Sequence, residues 1–342
     1  MHVKYVVFYL VCLLPISSFA AITPAKLLIE LNNAQDFIQV KPTFSFEVLT
    51  KHLSSISILT KEQQLQWLQS LLRVSITLND FQQAEQTIEL MVVYPELKRY
   101  PNKLITLLSG SGILLRKMGY PNEAIKLLDC ALQQPLSEKQ KLSLLLSKGL
   151  SLRFLNRNDE AKTLYDRALG IAELNELFAS KSSIYNSLGI IALEKNEHEL
   201  AKSHLLKGFD VSQQVNRRSG KIISGLNLML LAVLNDDDML YQRLHSPISQ
   251  LVESFNNNDR KHFLYWVEAG YYAANTRPLN SQHKRALLEA LNSIQDINLH
   301  NTLVIKLAAQ LGVNAMVRTH KFGDYTGVML SGLKFCVSDK VS

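Results

Sequence analysis

The sequence predicts an all-α fold in which antiparallel helix pairs repeat along the chain and stack into a superhelix. Apolar residues recur at the spacing of amphipathic helices through most of the chain. One set of six apolar or small positions occurs three times with the same internal spacing. The 342 residues are 47% hydrophobic and include only 14 glycines and 9 prolines, so the chain can bury a sizeable core and few residues interrupt its helices.

The N-terminal residues 1–20 have the pattern of a secretory signal peptide. Lys4 gives a basic start, residues 5–14 form a short apolar run, and small residues around Ala20 suit cleavage after that residue. The run is shorter than the roughly 20 residues that span a bilayer, so an uncleaved anchor is the weaker alternative. A lipid anchor on Cys12 is weaker still, because no small residue precedes it. We expect the mature chain to be exported, with the periplasm as its location.

The charge of the mature chain limits the kinds of partner that it could bind, and its cysteine content bears on disulfide formation. Loss of residues 1–20 removes Lys4 and no acid, and leaves a formal net charge of +6 without any run of five like charges. Such a mild, scattered excess does not predict nucleic-acid binding. Cys130 and Cys336 are too few for a disulfide framework, and the sequence favours an unpaired, half-buried Cys130 over a pair. No further apolar stretch is long enough to span a membrane.

Each of the three clear repeats contains a glycine and, twelve residues later, an alanine, while the step between repeats is 37 and then 40 residues. Constant spacing within a unit and variable spacing between units indicate a rigid two-helix module joined by adjustable turns. Glycine within a helix costs about 1 kcal/mol relative to alanine, so we expect the second helix to pass close to each glycine, with the alanine facing it. The six positions are Leu108, Gly112, Leu115, Ala124, Leu128 and Ala131 in residues 105–135, Leu145, Gly149, Leu152, Ala161, Tyr165 and Ala168 in residues 142–173, and Tyr185, Gly189, Ala192, Ala201, Leu205 and Gly208 in residues 182–213.

Weaker units extend the repeat array over residues 61–312. Capping boxes at Thr60–Gln63 and Ser137–Gln140 predict two helix starts. The acidic stretch Asn235–Asp238 is interpreted as a solvated turn at a helix N-terminus, where negative charge is favoured.

Segments flank the array on both sides. Residues 21–60 are expected to form a helix pair that caps it. Residues 313–342 change character, with three glycines, and are either loosely ordered or dock as a short strand-like segment around residues 326–330.

Two segments carry a resemblance to a known family. Residues 119–125 and 158–161 resemble the turn and second helix of the tetratricopeptide repeat, a helix-turn-helix unit of about 34 residues. The family's frequent aromatic residue in the first helix is present only as Tyr185, and its closing proline is approximated only by Pro135. The longer step resembles the stretched repeats of exported bacterial signalling proteins.

The resemblance implies an extended concave surface, lined by the first helix of each unit, that binds a protein or peptide. Within it, Arg116, Lys117 and Arg153 would receive a carboxylate, with ordinary solvated charges as the alternative. The apolar members form either a groove floor or inter-repeat core. The two-lysine, two-asparagine clamp of some chaperone-binding members is not matched. The implied surface residues are Ser109, Ile113, Arg116, Lys117, Leu146, Leu150, Arg153, Phe154, Asn186, Ile190 and Glu194.

No catalytic or metal-binding motif stands out in the sequence. The 9 histidines are scattered, and Gly110-Ser111-Gly112 lies within a helical pattern and lacks the later glycine and lysine of a phosphate loop. We therefore expect no enzyme activity, cofactor or metal, and predict an exported scaffold or sensor module that binds protein or peptide and acts in trans in the cell envelope. The alternatives are a hydrolase of envelope material with a site in the divergent C-terminal third, and self-assembly through one end of the array. The ligand, the pathway and the oligomeric state stay open.

Overall fold

The computed structural model is helical, and no strand occurs among the residues that it describes. The described residues are 22–38, 40–255, 257–275, 279–319, 325, 327, 331–333 and 336. The expected signal peptide, residues 1–20, lies outside them. The α-helices are α1 (Pro24–Phe37), α2 (Pro42–Lys51), α3 (Lys61–Leu78), α4 (Phe81–Val92), α5 (Pro101–Lys117), α6 (Pro121–Leu132), α7 (Glu138–Phe154), α8 (Asn158–Leu174), α9 (Phe178–Glu194), α10 (His198–Gln214), α11 (Arg218–Leu234), α12 (Asp238–Glu253), α13 (Asn258–Asn275), α14 (Ser281–Ser293), α15 (Ile297–Leu303) and α16 (Ala309–Leu311).

Three short helical segments connect the longer helices. Leu53–Ile58 and Pro95–Arg99 are 3₁₀ turns, and Val304–Ala308 is a π-helical stretch between α15 and α16. None of the helices in the described part of the chain is long and apolar enough to cross a membrane.

Consecutive helices pack as antiparallel pairs from α3 onwards, and the turn within each of the first five pairs uses a left-handed residue. These residues are Asn79, Gly119, Asn156, Asn196 and Asp236, with φ between 53° and 94°. Asparagine, aspartate and glycine adopt this conformation at lower cost than other residues. The turns are 40, 37, 40 and 40 residues apart along the chain, so the repeat continues through α12.

The glycines of the three clear repeats lie where the second helix passes too close for a side chain. The expected close approach is confirmed, but each glycine contacts the residue four positions after the repeat's alanine and not the alanine side chain. A Cβ atom on each glycine would lie 2.9 Å from Leu128 for Gly112, 2.7 Å from Tyr165 for Gly149 and 2.7 Å from Leu205 for Gly189.

In the fifth pair, α11 and α12, the close contact between the helices lies at a different position. Gly225 lies one helical turn earlier in its helix than Gly189 does in α9, and it approaches Ile248. The position equivalent to Gly189 is Met229, which is fully buried. This shift explains why the sequence pattern fades beyond the third repeat.

Polar side chains fix the helix starts that the sequence indicates. Both capping boxes are confirmed: Thr60 and Gln63 bond reciprocally at 3.0 and 3.3 Å, and Ser137 and Gln140 at 2.9 and 3.3 Å. Asp237 caps α12 by accepting a hydrogen bond from a backbone amide at 3.1 Å, which confirms the solvated turn.

Two fully buried tryptophans occupy similar places near the two ends of the array. Trp67 of α3 donates its indole N–H to the Leu49 carbonyl at 3.0 Å, and Trp266 of α13 donates to the Leu287 carbonyl at 2.9 Å. Each indole thereby ties a first helix to a neighbouring helix while its ring fills the core.

The C-terminal tail returns to the N-terminal repeats. Cys130 of α6 forms a disulfide with Cys336, with the two Cα atoms 5.4 Å apart, so the expectation of an unpaired Cys130 is wrong. Leu333 is completely buried in the core formed by α1 to α6. Residues separated by 206 positions meet only because the superhelix curves, which local sequence patterns do not encode. Thr326 and residues 328–330, where a strand-like segment was expected, lie outside the described residues.

Candidate ligand-binding site

First helices of successive repeats surround a cavity of about 250 Å³ on the concave side of the superhelix, and α15 closes it from the opposite side. Six of the residues expected on the concave surface line this cavity: Arg116, Leu150, Arg153, Phe154, Asn186 and Ile190. The sequence brings them together because they occupy the same face of α5, α7 and α9.

The cavity wall is strongly basic. Arg116, Arg153, Arg217 and Arg260 line it, whereas the acidic side chain among its lining residues is Asp296. We call this space the arginine cavity. An excess of cations within a confined, partly desolvated wall favours an anionic ligand.

Arg153 is the most enclosed of the four arginines, with 9% of its surface exposed. Its Nη2 donates to Glu194 Oε1 at 2.7 Å, and its Nε is buried without a hydrogen-bond partner among the described residues. Burial is the largest single influence and lowers the pKa of Arg153, but Glu194, Tyr165 and Asp296 together outweigh it, so that the pKa is raised. The side chain is therefore a permanent cation in the cavity wall.

Arg116 is half-buried and lies across the ring of Phe154, with its Cζ 5.1 Å from the ring centroid. Its Nε is also buried without a hydrogen-bond partner in the described part of the chain. Burial lowers the pKa of Arg116, and Asp296 partly offsets the shift. The aromatic ring holds the guanidinium plane in place, because cations are attracted to the ring face.

The other two arginines come from later repeats. Arg217, at the start of α11, donates to Ser183 Oγ at 2.7 Å, which fixes its position against α9. Burial lowers the pKa of Arg260 in the first turn of α13. Asp296, which faces them, already accepts a hydrogen bond from the Asn298 amide at 2.9 Å as the cap of α15.

Two expected residues line a different part of the concave surface. Ser109 and Ile113 border a separate hollow of about 700 Å³ between α1, α3, α5 and α7. Its polar wall is mainly amide and hydroxyl groups, including Gln35 and Gln66, with Arg73 as its charged member. The concave surface thus has a neutral N-terminal part and a basic central part.

Three expected residues have structural roles outside the cavity wall. Lys117 donates its Nζ to the Ile76 carbonyl at 3.0 Å and to Asn79 at 2.7 Å, so it caps the end of α3. Leu146 packs against the core of α7 and α8, in keeping with the inter-repeat alternative. Glu194 holds Arg153 in place.

Sequence reasoning missed the residues that later repeats contribute. Asn227 of α11 donates to Asn186 at 3.3 Å, and both line the arginine cavity. Arg217 and Arg260 each lie at the start of a first helix, directly after a turn, which is the one local signal that could have identified them. The repeat pattern beyond α10 is too weak to place them on the concave face.

Comparisons with known proteins agree with the repeat architecture. A tetratricopeptide repeat model matches residues 142–173, which contain most of α7 and α8. No curated protein matches the sequence. Among solved structures, the fold resembles a Rap protein complexed with competence and sporulation factor, with a TM-score of 0.56 and 11% identity over 84% of this chain and 85% of that one.

A second solved structure is similar over a larger part of the chain. It is the apo form of the quorum sensor NprR from B. thuringiensis, with a TM-score of 0.60 and 11% identity over 91% of this chain and 86% of that one. At such low identity, both likenesses concern the fold alone. With its helix pairs, its glycine-mediated packing and the matched repeat at residues 142–173, the chain has the fold of a tetratricopeptide-like superhelix.

Proposed function

We propose that the protein is a scaffold or sensor module that binds a peptide or a protein segment through an acidic group held in the arginine cavity. The observation that carries this proposal is the wall of the arginine cavity, which holds four arginines and, among its lining residues, one acidic side chain, Asp296. A ligand carboxylate would reduce the mutual repulsion of these guanidinium groups and accept charge-assisted hydrogen bonds from them. This wall of fixed cations supports a binding role.

The similar structures support a binding role. One was solved as a complex with competence and sporulation factor, and the other is a quorum sensor. A superhelix of this kind presents a long concave surface built from successive first helices. We extend that role to this chain because its own concave surface carries a basic cavity.

We also propose that the protein is exported and acts in trans in the cell envelope. The signal-like pattern of residues 1–20 supports export. The disulfide between Cys130 and Cys336 supports it independently, because disulfides persist mainly in oxidising compartments. N-terminal sequencing of the protein from a periplasmic fraction is expected to begin at Ala21. A chain that starts at Met1 and remains with the membrane would contradict export by cleavage.

The test of the binding function uses a pool of random-sequence peptides offered to the mature chain, with free or amidated C-termini. The native chain should enrich acidic peptides or peptides with a free carboxylate. Arg116→Gln should weaken binding of the enriched peptides by about tenfold or more, because a hydrogen bond to a charged group contributes about 1.5–3 kcal/mol. Lys117→Gln is the matched control. It also removes one positive charge, but the Lys117 ammonium caps α3 and does not line the arginine cavity.

Equal loss in both variants would indicate a general charge effect and not the arginine cavity. Absence of any enriched peptide, in a chain that remains helical, would count against peptide binding. Enrichment that Arg116→Gln leaves intact would place the site elsewhere on the superhelix.

A further inference from the structure

The C-terminal tail is attached to the N-terminal repeats at several points besides the disulfide. Tyr325 donates its hydroxyl hydrogen to Glu85 of α4, and its ring meets that of Tyr120 edge-on with centroids 5.2 Å apart. Gly332 lies so close to α4 that a Cβ atom there would be 2.6 Å from Val92. These contacts involve tail residues Tyr325, Gly332, Leu333 and Cys336, which we call the latch.

The chain just before the latch belongs to the opposite end of the superhelix. The amide of Arg318 donates to Asn301 Oδ1 at 2.8 Å, and Asn301 returns a hydrogen bond to the Arg318 carbonyl at 2.8 Å. Arg318 also donates through its guanidinium to the Asn292 carbonyl at 2.8 Å. Residues 313–319 are therefore fastened to α14 and α15.

Chain geometry limits how far apart these two attachments can be. Thr319 and Tyr325 are six residues apart, and a chain spans at most about 3.3–3.6 Å per residue, so these two attachment points lie within about 22 Å of each other. A cavity of about 1040 Å³ lies at this junction. Val317 and Thr319 line one side of it, and Asn79 and Gly119, the turns of the first two repeats, line another.

This junction adjoins the arginine cavity. Arg116, Phe154 and Asp296 line both spaces. Movement of α15 away from α5 would therefore widen the entrance to the arginine cavity, whereas the latch holds α15 in place across it.

We propose that the latch is a redox-controlled clasp, in which the Cys130–Cys336 disulfide keeps the superhelix closed and its reduction lets α13 to α15 move away from α3 to α6. The noncovalent part of the latch is small, because Leu333 is its one fully buried side chain among the described residues. After loss of the covalent bond, only these noncovalent contacts hold the tail against α4 and α6, so the tail can detach from the folded repeats. The consequence for ligand entry rests on the proposed function.

The reductant is a dithiol, either a small molecule or a protein. Its thiolate attacks one sulfur of the Cys130–Cys336 bond, forms a mixed disulfide and releases the other cysteine as a thiolate, which takes up a proton. The second thiol of the reductant then attacks the mixed disulfide, so that two electrons and two protons pass to the protein and the dithiol becomes a disulfide. Both cysteines are only partly buried, so an attacking thiolate can reach them.

The test compares amide hydrogen exchange in the oxidised and dithiol-reduced mature chain without any ligand. Reduction should speed exchange of the Arg318 amide and of α15 by tenfold or more, while α7 to α10 stay unchanged. The Cys130→Ser/Cys336→Ser double variant is the control, since it should exchange like the reduced protein and show no response to the dithiol. Should that variant fail to fold, reduction of the folded native chain decides the question alone.

Identical exchange in the oxidised and reduced chains would overturn the proposal, as would two titratable thiols in protein isolated from an oxidising compartment. A second arm measures the association rate of acidic peptides, which should rise at least tenfold on reduction. Faster exchange without peptide binding in either state would leave the clasp standing and remove the proposed function. Faster exchange with an unchanged association rate would overturn the claim that the clasp controls entry.

Discussion

Arg153 of α7 and Glu194 of α9 form an ion pair across two neighbouring repeats, with 2.7 Å between Nη2 and Oε1. The Glu194 side chain is 32% exposed, so water still reaches the pair from one side. Asn158 adds a hydrogen bond to the other carboxylate oxygen at 3.0 Å. The pair orients a guanidinium whose Nε has no partner among the described residues, and so connects repeat packing with the chemistry of the arginine cavity.

Replacement of the carboxylate tests the structural part of this relationship. We expect Glu194→Gln to lower the free energy of unfolding by about 1–2 kcal/mol, because a charged hydrogen bond is lost and solvent weakens what remains. Urea unfolding followed by circular dichroism measures the change. Glu199→Gln, an exposed glutamate of α10, should leave the free energy within about 0.5 kcal/mol of the native value. Equal effects of the two substitutions would show that the ion pair adds no stability.

The glycine positions give a prediction about packing. Gly149→Ala would place a Cβ atom 2.7 Å from the ring of Tyr165, which is 1% exposed and cannot easily move. We expect a loss of about 1–3 kcal/mol from overpacking, reduced by alanine's better helix propensity. The measurement is the midpoint of thermal unfolding.

Gly170→Ala is the matched control for that substitution. Gly170 lies in α8, and a Cβ atom there would meet nothing within 4 Å. Alanine should stabilise the chain by up to about 1 kcal/mol at this position, because only the propensity gain remains. A stabilising Gly149→Ala would refute close helix packing as the reason for the repeated glycine.

How much of the fold follows from the sequence depends on how local the interactions are. The twelve-residue spacing from Gly149 to Ala161 identifies a helix hairpin, because both residues belong to one rigid unit. The same reasoning fails in α11, because Gly225 lies one turn earlier and contacts Ile248, while the buried Met229 occupies the usual glycine position. A pattern of small residues detects only one of several ways to pack a hairpin.

Prediction of the candidate site from the sequence is limited in the same way, because some of its residues meet only through long-range contacts. Arg116, Arg153 and Phe154 were placed on the concave surface from their positions in the first helices, and they line one cavity. Arg217 and Arg260 come from repeats that meet the earlier ones only through the curvature of the whole superhelix. Curvature accumulates from small rotations between units, and no single segment of sequence records it.

The disulfide should contribute measurably to stability. Reduction of Cys130–Cys336 should lower the free energy of unfolding by about 2–4 kcal/mol, since the unfolded chain then regains the freedom of a long loop. Thermal unfolding with and without a dithiol measures the effect, and the Cys130→Ser chain should show no further change when the dithiol is added. Identical unfolding midpoints for the oxidised and reduced native chain would mean that the bond links regions that are already held together.

Acid should destabilise the C-terminal helices through His300. This side chain is 2% exposed, and burial lowers its pKa; Asn301 opposes the shift by hydrogen bonding, while the nearby Arg318 adds to it. The unfolded chain takes up a proton near the ordinary histidine value of about 6.5, whereas the folded chain resists it until lower pH. Stability from the neutral imidazole is therefore complete above that value and is lost as the pH falls below it.

The unfolding temperature should fall between about pH 7.5 and about pH 5, and His300→Gln should make this fall smaller, because one group that must be neutral for folding is removed. The exposed His283 of α14 provides the control, and His283→Gln should retain the native pH dependence. Part of the acid sensitivity should survive in both variants, since burial also lowers the pKa of His204. If His300→Gln and the native chain lost stability equally over this range, protonation of His300 would not be a cause of acid unfolding.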